Sequence, residues 1–445
     1  MKCIENEIPF EVPEGWAWCR FTSVTVNRDS ERKPISSANR TNVAKIYDYY
    51  GASGKIDKID KFIFNEKLLL IGEDGANLVT RSKPIAFFAE GQYWVNNHAH
   101  CIDSTDKLIL EYLCLYINAI SLEKYVTGSA QPKMTQDNMN SILIALPPYE
   151  EQKRLEFQVN HILKTVSTIE NEKEDIVNYI SSAKSKILDL AIRGKLVPQN
   201  PNAEPASVLL ERIRAEKEEL IKAGKIKRDK KESIIFRGED NSYYEKISEE
   251  VRCINEEIPF EIPDTWKWMR LESCCQKEIR RGKSPKYAEY SRTLVFAQKC
   301  NTKYNGIDIG LAQFLDENTL SKYTVDEYMK AGDIVINSTG TGTLGRVGFY
   351  RTSDNIKNIN IVPDSHVTVV RAYDNVDAFY LYAFIKFNQS ELEKKGEGST
   401  NQKELKPVTL KEMLIPLPSK SEQERITETI LKAFSIINTI EKSLS

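Results

Sequence analysis

Apolar or small residues recur in alternating steps of four and three along two stretches of this chain. The first stretch runs through Leu155, Val159, Ile162, Val166 and Ile169 and, after Lys173, through Ile176, Ile180, Ala183, Ile187 and Leu190. The second lies at the C-terminal end: Ile426, Ile430, Ala433, Ile437, Ile440 and Leu444. Such spacing predicts two helices, each with a heptad seam. Pro147 and Pro148 bar an earlier start to the first, and Gly194 stands where a C-terminal cap belongs. At 1.5 Å per residue the first helix would be roughly 65 Å long and the second roughly 35 Å. Neither seam has a buried partner within its own stretch, so the pattern predicts an antiparallel pair overlapping by about 25 residues, or roughly 37 Å.

Elsewhere the apolar positions follow shorter rules. KLLLIG at 67–72, DIVINS at 333–338 and HVTVVRA at 366–372 read as strands, whereas LEYLCLYINAI at 110–120 and DAFYLYAFIKF at 377–387 read as brief helices. ASVLLERIRAEKEELIKAG, after the first seam, reads as a further helix. The expected class is mixed α/β (α+β), with two similar globules flanking helical elements.

The two globules open alike. CIENEIPFEVPEGWAWCRF at 3–21 and CINEEIPFEIPDTWKWMRL at 253–271 share eleven of nineteen positions, including both Trp residues and Arg. Paired prolines hold an extended arm, and Trp-x-Trp puts both indoles on one face, where they are expected to pack as structural residues. The globules also close alike. Leu146, Pro147, Glu151, Gln152 and Arg154 match Leu417, Pro418, Glu422, Gln423 and Arg425 at a constant shift, and the seams continue in the same register.

A length of 445 residues, with 41% apolar and 28% charged, suits a globular protein of two or three domains. The start has no signal-peptide core and no run is apolar enough for a membrane span, so a cytoplasmic protein is expected. Eight cysteines without C-x-x-C spacing fit a reducing compartment with no disulfides. The net charge of -2 excludes a globally basic protein, so nucleic-acid binding would need local patches. One lies between Gln276 and Lys303, with eight Lys or Arg against Glu278 and Glu289. Another run, KAGKIKRDKK at 222–231, reads as part of a solvated linker.

Catalytic signatures fail on inspection. GTGTLG at 340–345 is followed by RVGFYRTS, a strand pattern rather than the helix that a dinucleotide site needs. RRGKSP at 280–285 lacks the first glycine of a P-loop, and LPPY at 146–149 places Leu146 where an amino-methyltransferase needs a hydrogen-bond acceptor. His98-Ala-His100-Cys101 has no second cluster to complete a structural zinc, so no metal is expected.

The chain resembles the specificity subunit of type I restriction-modification enzymes over essentially its full length. YYGASGKI at 49–56, LLIGEDGANLV at 69–79 and YWVNNHAH at 93–100 carry the resemblance in the first half. DIVINSTGTGTLGRV at 333–347 carries it in the second, and both halves have GSAQPKM or GSTNQKEL ahead of a proline-led EQ-x-R helix start. The resemblance implies target recognition domains at 1–149 and 251–420, a central helix at 150–197, a linker with a further helix and the basic run at 198–250, and a closing helix at 421–445. It further implies an antiparallel coiled coil as spacer, close to one turn of duplex DNA at about 34 Å.

The partners implied are double-stranded DNA, two adenine-methylating modification subunits and, as further partners, two restriction subunits. S-adenosylmethionine, ATP and magnesium would sit on those partners, with no cofactor and no active site in this chain. Base reading needs paired donors and acceptors, and phosphate contacts need positive charge or free N–H groups. The loops Gly72–Asn77 and Gly128–Thr135 are therefore candidates, with Arg81, Lys83, Asn97, His98, Gln131 and Lys133. In the second half the candidates are Arg280, Arg281 and Lys283, Thr341, Thr343 and Arg346 in the loop Ser338–Arg346, and Asn401, Gln402 and Lys403. The target is expected to be two-part and asymmetric. Competing readings are a coiled-coil adaptor without a DNA role and a stand-alone DNA methyltransferase or nuclease.

Overall fold

The computed structural model describes residues 4–226, 228, 232–303, 306–340, 342–398 and 403–444. The chain divides into two compact units, Met1–Glu172 and Lys173–Ser445. The first is built on two four-stranded sheets. One is ordered Val26–Asn27, Ala99–Asp103, Leu68–Gly72, Ala86–Ala89, and the other Gly54–Ile59, Tyr47–Gly51, Gln92–Val95, Phe64–Asn65. The helix Lys107–Ala119 packs on the first sheet and buries Leu110, Leu113 and Ile117 with Leu69, Ile71 and Ile102. A separate ribbon pairs Ala17–Arg20 with Leu143–Leu146.

The second unit repeats this plan. Its sheets are ordered Arg280–Arg281, Val367–Val370, Ile334–Asn337, Val347–Phe349 and Tyr287–Ala288, Gln313–Leu315, Thr293–Phe296, Asn360–Pro363. The ribbon Lys267–Arg270 with Leu414–Leu417 and the helix Ala378–Phe387 complete the correspondence. In both units a strand pair is parallel within the second sheet, Tyr47–Gly51 with Gln92–Val95 and Thr293–Phe296 with Asn360–Pro363.

The repeat extends to single hydrogen bonds. Trp16 Nε1 donates to Glu151 Oε2 at 3.1 Å, and Trp266 Nε1 donates to Glu422 Oε2 at 3.1 Å. Gln152 donates to the Pro147 carbonyl at 2.9 Å and Gln423 to the Pro418 carbonyl at 3.0 Å. Arg20 reaches the Ser141 carbonyl and Glu7, and Arg270 reaches the Glu412 carbonyl and Glu257. The tyrosines Tyr112 and Tyr380 donate to the Ala145 and Pro416 carbonyls. These contacts explain why the opening arms and the helix starts recur together: each arm is bonded to the helix that closes its own repeat.

The long helix runs Tyr149–Ile192 and the tail helix Lys420–Ser443. Gly194 ends the first at φ +67, with Lys195 N–H bonded to the Leu190 carbonyl at 2.8 Å, as in a Schellman cap. A Cβ there would stand 2.6 Å from Pro263 and 3.1 Å from Trp266. Within the second unit the two helices are antiparallel: Leu188 and Ala191 pack with Ile426 and Ile430, and Lys184 pairs with Glu441 at 2.6 Å. The overlap is shorter than the seam pattern predicts. The tail helix reaches Ser443 when it is level with about Lys184, and Ile176 is left exposed. In the first unit Leu155 joins the core, but Ile162, Val166 and Ile169 are exposed.

Two further expectations change. The segment 198–250 holds the helix Ala206–Lys222, as its periodicity predicts, and also most of a three-stranded sheet, Ser233–Arg237, Tyr243–Ile247 and Glu250–Cys253. Its Glu245 is buried against Arg270 and Arg252, and the Arg270 hydrogen bonds outweigh burial and hold that carboxyl down to about 2. The Trp pairs also differ. Trp266 and Trp268 are buried because the last turns of the long helix and the tail helix cover Trp266, whereas Trp16 and Trp18 are only half-buried.

Candidate functional site

The loops that follow the strands Leu68–Gly72 and Ile334–Asn337 occupy equivalent places. Ile71 lies opposite His100 and Ile336 opposite Thr368. Two residues on, Glu73 N–H donates to the His98 carbonyl at 2.9 Å and Ser338 N–H to the His366 carbonyl at 2.8 Å. The next contact also matches: Met134 N–H reaches the Glu73 carbonyl and Leu405 N–H the Ser338 carbonyl, both at 2.8 Å. In each unit the loop therefore sits beside a second loop, 128–135 in the first and the stretch leading to Leu405 in the second.

On this common backbone the side chains differ. In the first unit His100 is buried, with Nδ1 2.6 Å from Asp29 Oδ2 and Nε2 2.9 Å from the Met134 carbonyl. Both ring nitrogens are thus engaged by oxygen atoms of the protein. Arg32 pairs with Glu73 at 2.6 Å and with Asp29 at 3.2 Å, and Lys133 pairs with Glu73 at 3.1 Å. Burial raises both carboxyls, but the His100 bond to Asp29 and the Lys133 and Arg32 bonds to Glu73 win, leaving both below the ordinary range. In the second unit Ser338 Oγ meets Thr368 Oγ1 at 2.6 Å, and Arg281 pairs with Glu404 at 2.9 Å.

Asp29, Glu73 and His100 place their ligand atoms within 4.8 Å of one another, close enough for a metal ion. The donor set does not fit one. Both ring nitrogens of His100 are engaged, and Arg32 and Lys133 already neutralise the carboxylates. Cys101 points into a different cluster, its thiol pushed up to about 12 by burial.

The candidate residues fall in several surroundings. His98 and Asn97 are exposed at the loop mouth, and His98 Nδ1 lies 2.7 Å from Asp74. Its counterpart His366 meets Thr339 Oγ1 at 2.7 Å. Lys83 and Gln131 are exposed, and Lys133 is exposed while paired with Glu73. Arg81, at φ +49, donates to the Ile117, Asn118 and Ile120 carbonyls, so its guanidinium caps the end of the helix Lys107–Ala119. Arg346 donates to the Asn301 and Gly342 carbonyls and Thr343 to the Thr339 carbonyl, which braces the glycine loop from within. That loop runs into the strand Val347–Phe349, as its sequence predicts, with Gly340, Gly342 and Gly345 at positive φ. Lys403 is exposed, whereas Thr341, Asn401 and Gln402 lie outside the described residues. Lys227, Lys230 and Lys231 of the second basic run also lie outside them, and Arg228 pairs with Glu218.

Arg280 and Lys283 face one carboxylate, Glu327, at 3.1 and 2.7 Å, beside Lys277 and Tyr323 in a cleft of about 250 Å³ counted with its open mouth. Sequence reasoning counted Lys277 in the basic patch without singling it out with the arginines and Lys283, and it missed Glu327, which lies 44 positions from Lys283 and has no local motif to announce it.

Two sets of residues, 13–182 and 263–445, match the family described as the type I restriction modification DNA specificity domain. The chain belongs to this family. Each specificity-domain match takes in one opening arm's end, one pair of sheets and one helix start. The chain is 31% identical over 269 residues to the type I restriction enzyme EcoAI specificity subunit of Escherichia coli, covering 59% of this chain and 41% of that protein. It is 45% identical over 101 residues to the EcoEI specificity subunit of Escherichia coli, covering 23% and 14% respectively. These alignments thus span less than half of either relative's own length. Among solved structures, the HsdS subunit of Thermoanaerobacter tengcongensis shares the fold, with a TM-score of 0.50, 15% identity and coverage of 98% of this chain and 93% of that one. A chain from a study of complex assembly and conformational transition of the type I R-M system matches with a TM-score of 0.52, 15% identity and coverage of 98% and 94%. Among the described residues, no helix is long and apolar enough to cross a membrane.

Proposed function

We propose that this chain is the sequence-reading subunit of a type I restriction-modification complex, recognising a bipartite, asymmetric DNA target and scaffolding modification and restriction subunits. The observation that carries this reading is the repeated backbone with unlike side chains at the equivalent loop mouths: exposed His98 beside Asp74 in one unit, exposed His366 beside Thr339 in the other. Two loops on one frame suit two half-sites, and their different donors and acceptors suit different bases.

The residues proposed to meet DNA are Lys83, Asn97, His98, Gln131 and Lys133 in the first unit and Arg280, Arg281, Lys283 and Lys403 in the second. Arg81, Thr343 and Arg346 serve there by bracing the loops. Methyl transfer and ATP-driven steps, with S-adenosylmethionine, ATP and magnesium, belong to the partner subunits, and this chain supplies no catalytic group. The test is selection from a random duplex pool by the chain assembled with its modification subunits. Two short unlike sequences separated by a fixed gap are expected, matched by methylated adenines in cells carrying the same subunits. A pool recovered without sequence preference overturns the reading and leaves an adaptor.

A further inference from the structure

The cleft of the second unit holds more positive charge than its own residues neutralise. Arg280 and Lys283 share Glu327, and Arg281 is held by Glu404 at 2.9 Å. Lys277 lines the same cleft and has no hydrogen-bond or ion-pair partner among the described residues. Behind it, Arg371 and Asp333 form a closed two-bonded pair at 2.6 and 2.7 Å, so Asp333 is already committed. Asp364 is the remaining nearby carboxyl, and burial raises it toward its neutral form. Tyr323 is likewise raised by burial and keeps its hydroxyl proton as a donor. Three cations, Lys277, Arg280 and Lys283, thus face one carboxylate, Glu327, which leaves an excess of two.

The first unit shows that this is not a property of the frame. By strand register, Arg28 stands where Arg280 does and Asp29 where Arg281 does, with Glu31 soon after in place of a cation. There Arg28 is surrounded by Glu31, Glu66 and Asp103. The same stretch is anionic in one unit and cationic in the other.

We propose that the cleft is an oxyanion site that takes one phosphate of the DNA backbone, with Lys277, Arg280 and Lys283 as its donors. This rests on the DNA-reading function above and adds a defined phosphate contact to one half only. Burial, and then Arg371 and Arg280, push the Lys277 amine down to about 8 against the opposing pull of Asp333 and Glu327. An arriving phosphate favours the charged amine, so binding takes up a proton wherever the free amine is neutral. The sign follows: binding is at full strength below pH 8 and weakens above it, by up to about tenfold per pH unit.

The experiment measures binding of a random-sequence duplex to the 445-residue chain by fluorescence anisotropy across salt and from pH 6.5 to 9. Lys277→Met is expected to weaken binding several-fold, lower the salt slope by about one and flatten the pH profile. Lys277→Arg should keep the slope while losing the fall above pH 8. Glu327→Gln removes the competing carboxylate and is expected to tighten binding, a gain that misfolding cannot mimic. A Lys277→Met chain with the wild-type slope and pH profile overturns this proposal alone. A wild-type chain that binds no duplex at low salt overturns the DNA reading with it.

Discussion

In the first unit the loop after Leu68–Gly72 is fastened by a partly buried polar set, the charged Asp29, Arg32, Glu73 and Lys133 with His100, whereas in the second the loop after Ile334–Asn337 is fastened by two hydroxyls, Ser338 and Thr368. The backbone bonds that align the two loops are nevertheless the same within about 0.1 Å. The frame therefore does not depend on one chemistry at its centre. Strand register and the arm-to-helix bonds set it, and the loop base is free to vary.

That contrast can be broken most severely at the shared indole. Trp266→Ala removes a buried side chain and its bond to Glu422, and a loss of about 3–5 kcal/mol is expected. Trp16→Ala should cost clearly less, because Trp16 is half-buried. Urea unfolding, with hydrogen exchange to assign each change to its unit, reads the difference, and equal losses would contradict the burial seen here.

The loop base gives a middle-sized effect. His100→Ala removes the buried contacts to Asp29 and the Met134 carbonyl, at about 1–3 kcal/mol, against about 1 kcal/mol for Thr368→Val. Asp29 and Glu73 are both depressed in the folded unit, so their contribution is present above the ordinary carboxylate range and is lost as pH falls through and below it. Hydrogen exchange at 72–77 should therefore accelerate in acid, while exchange at 338–340 should change less. Loops that respond alike to acid would remove the distinction between charge and hydroxyl.

The smallest effect tests sameness rather than difference. Tyr112→Phe and Tyr380→Phe each delete a hydroxyl bond to the closing strand, and about 1 kcal/mol is expected from both. A large inequality would mean that the two ribbons are not equivalent supports.

Much of the frame was legible because it is written locally. The heptad steps predicted the long helix to within a residue or two at each end, Gly194 announced its cap, and the repeated Trp and Glu-Gln pairs marked the contacts that recur. The sheet over 233–253 was missed although SIIFR and YYEKI alternate about a Gly-Glu-Asp-Asn turn, because the neighbouring basic run drew the whole segment into a linker. The length of helix pairing was not legible either, since a seam states which face is apolar and not how far a partner extends. The charged cluster was hidden for another reason: Asp29 and His100 are 71 positions apart, and only strand pairing brings them to 2.6 Å.

Gly194 also has a meaning for heredity. A side chain there would be strained by the positive φ and would collide with Pro263 and Trp266, so the end of the long helix and the second opening arm must descend together. A crossover between genes that falls within 1–172 keeps these partners matched. One that falls between 195 and 262 pairs a helix end from one parent with an arm from another. Recombinants should accordingly survive more often with the first kind of junction, and position 194 should accept no other residue without a compensating change at Pro263 or Trp266.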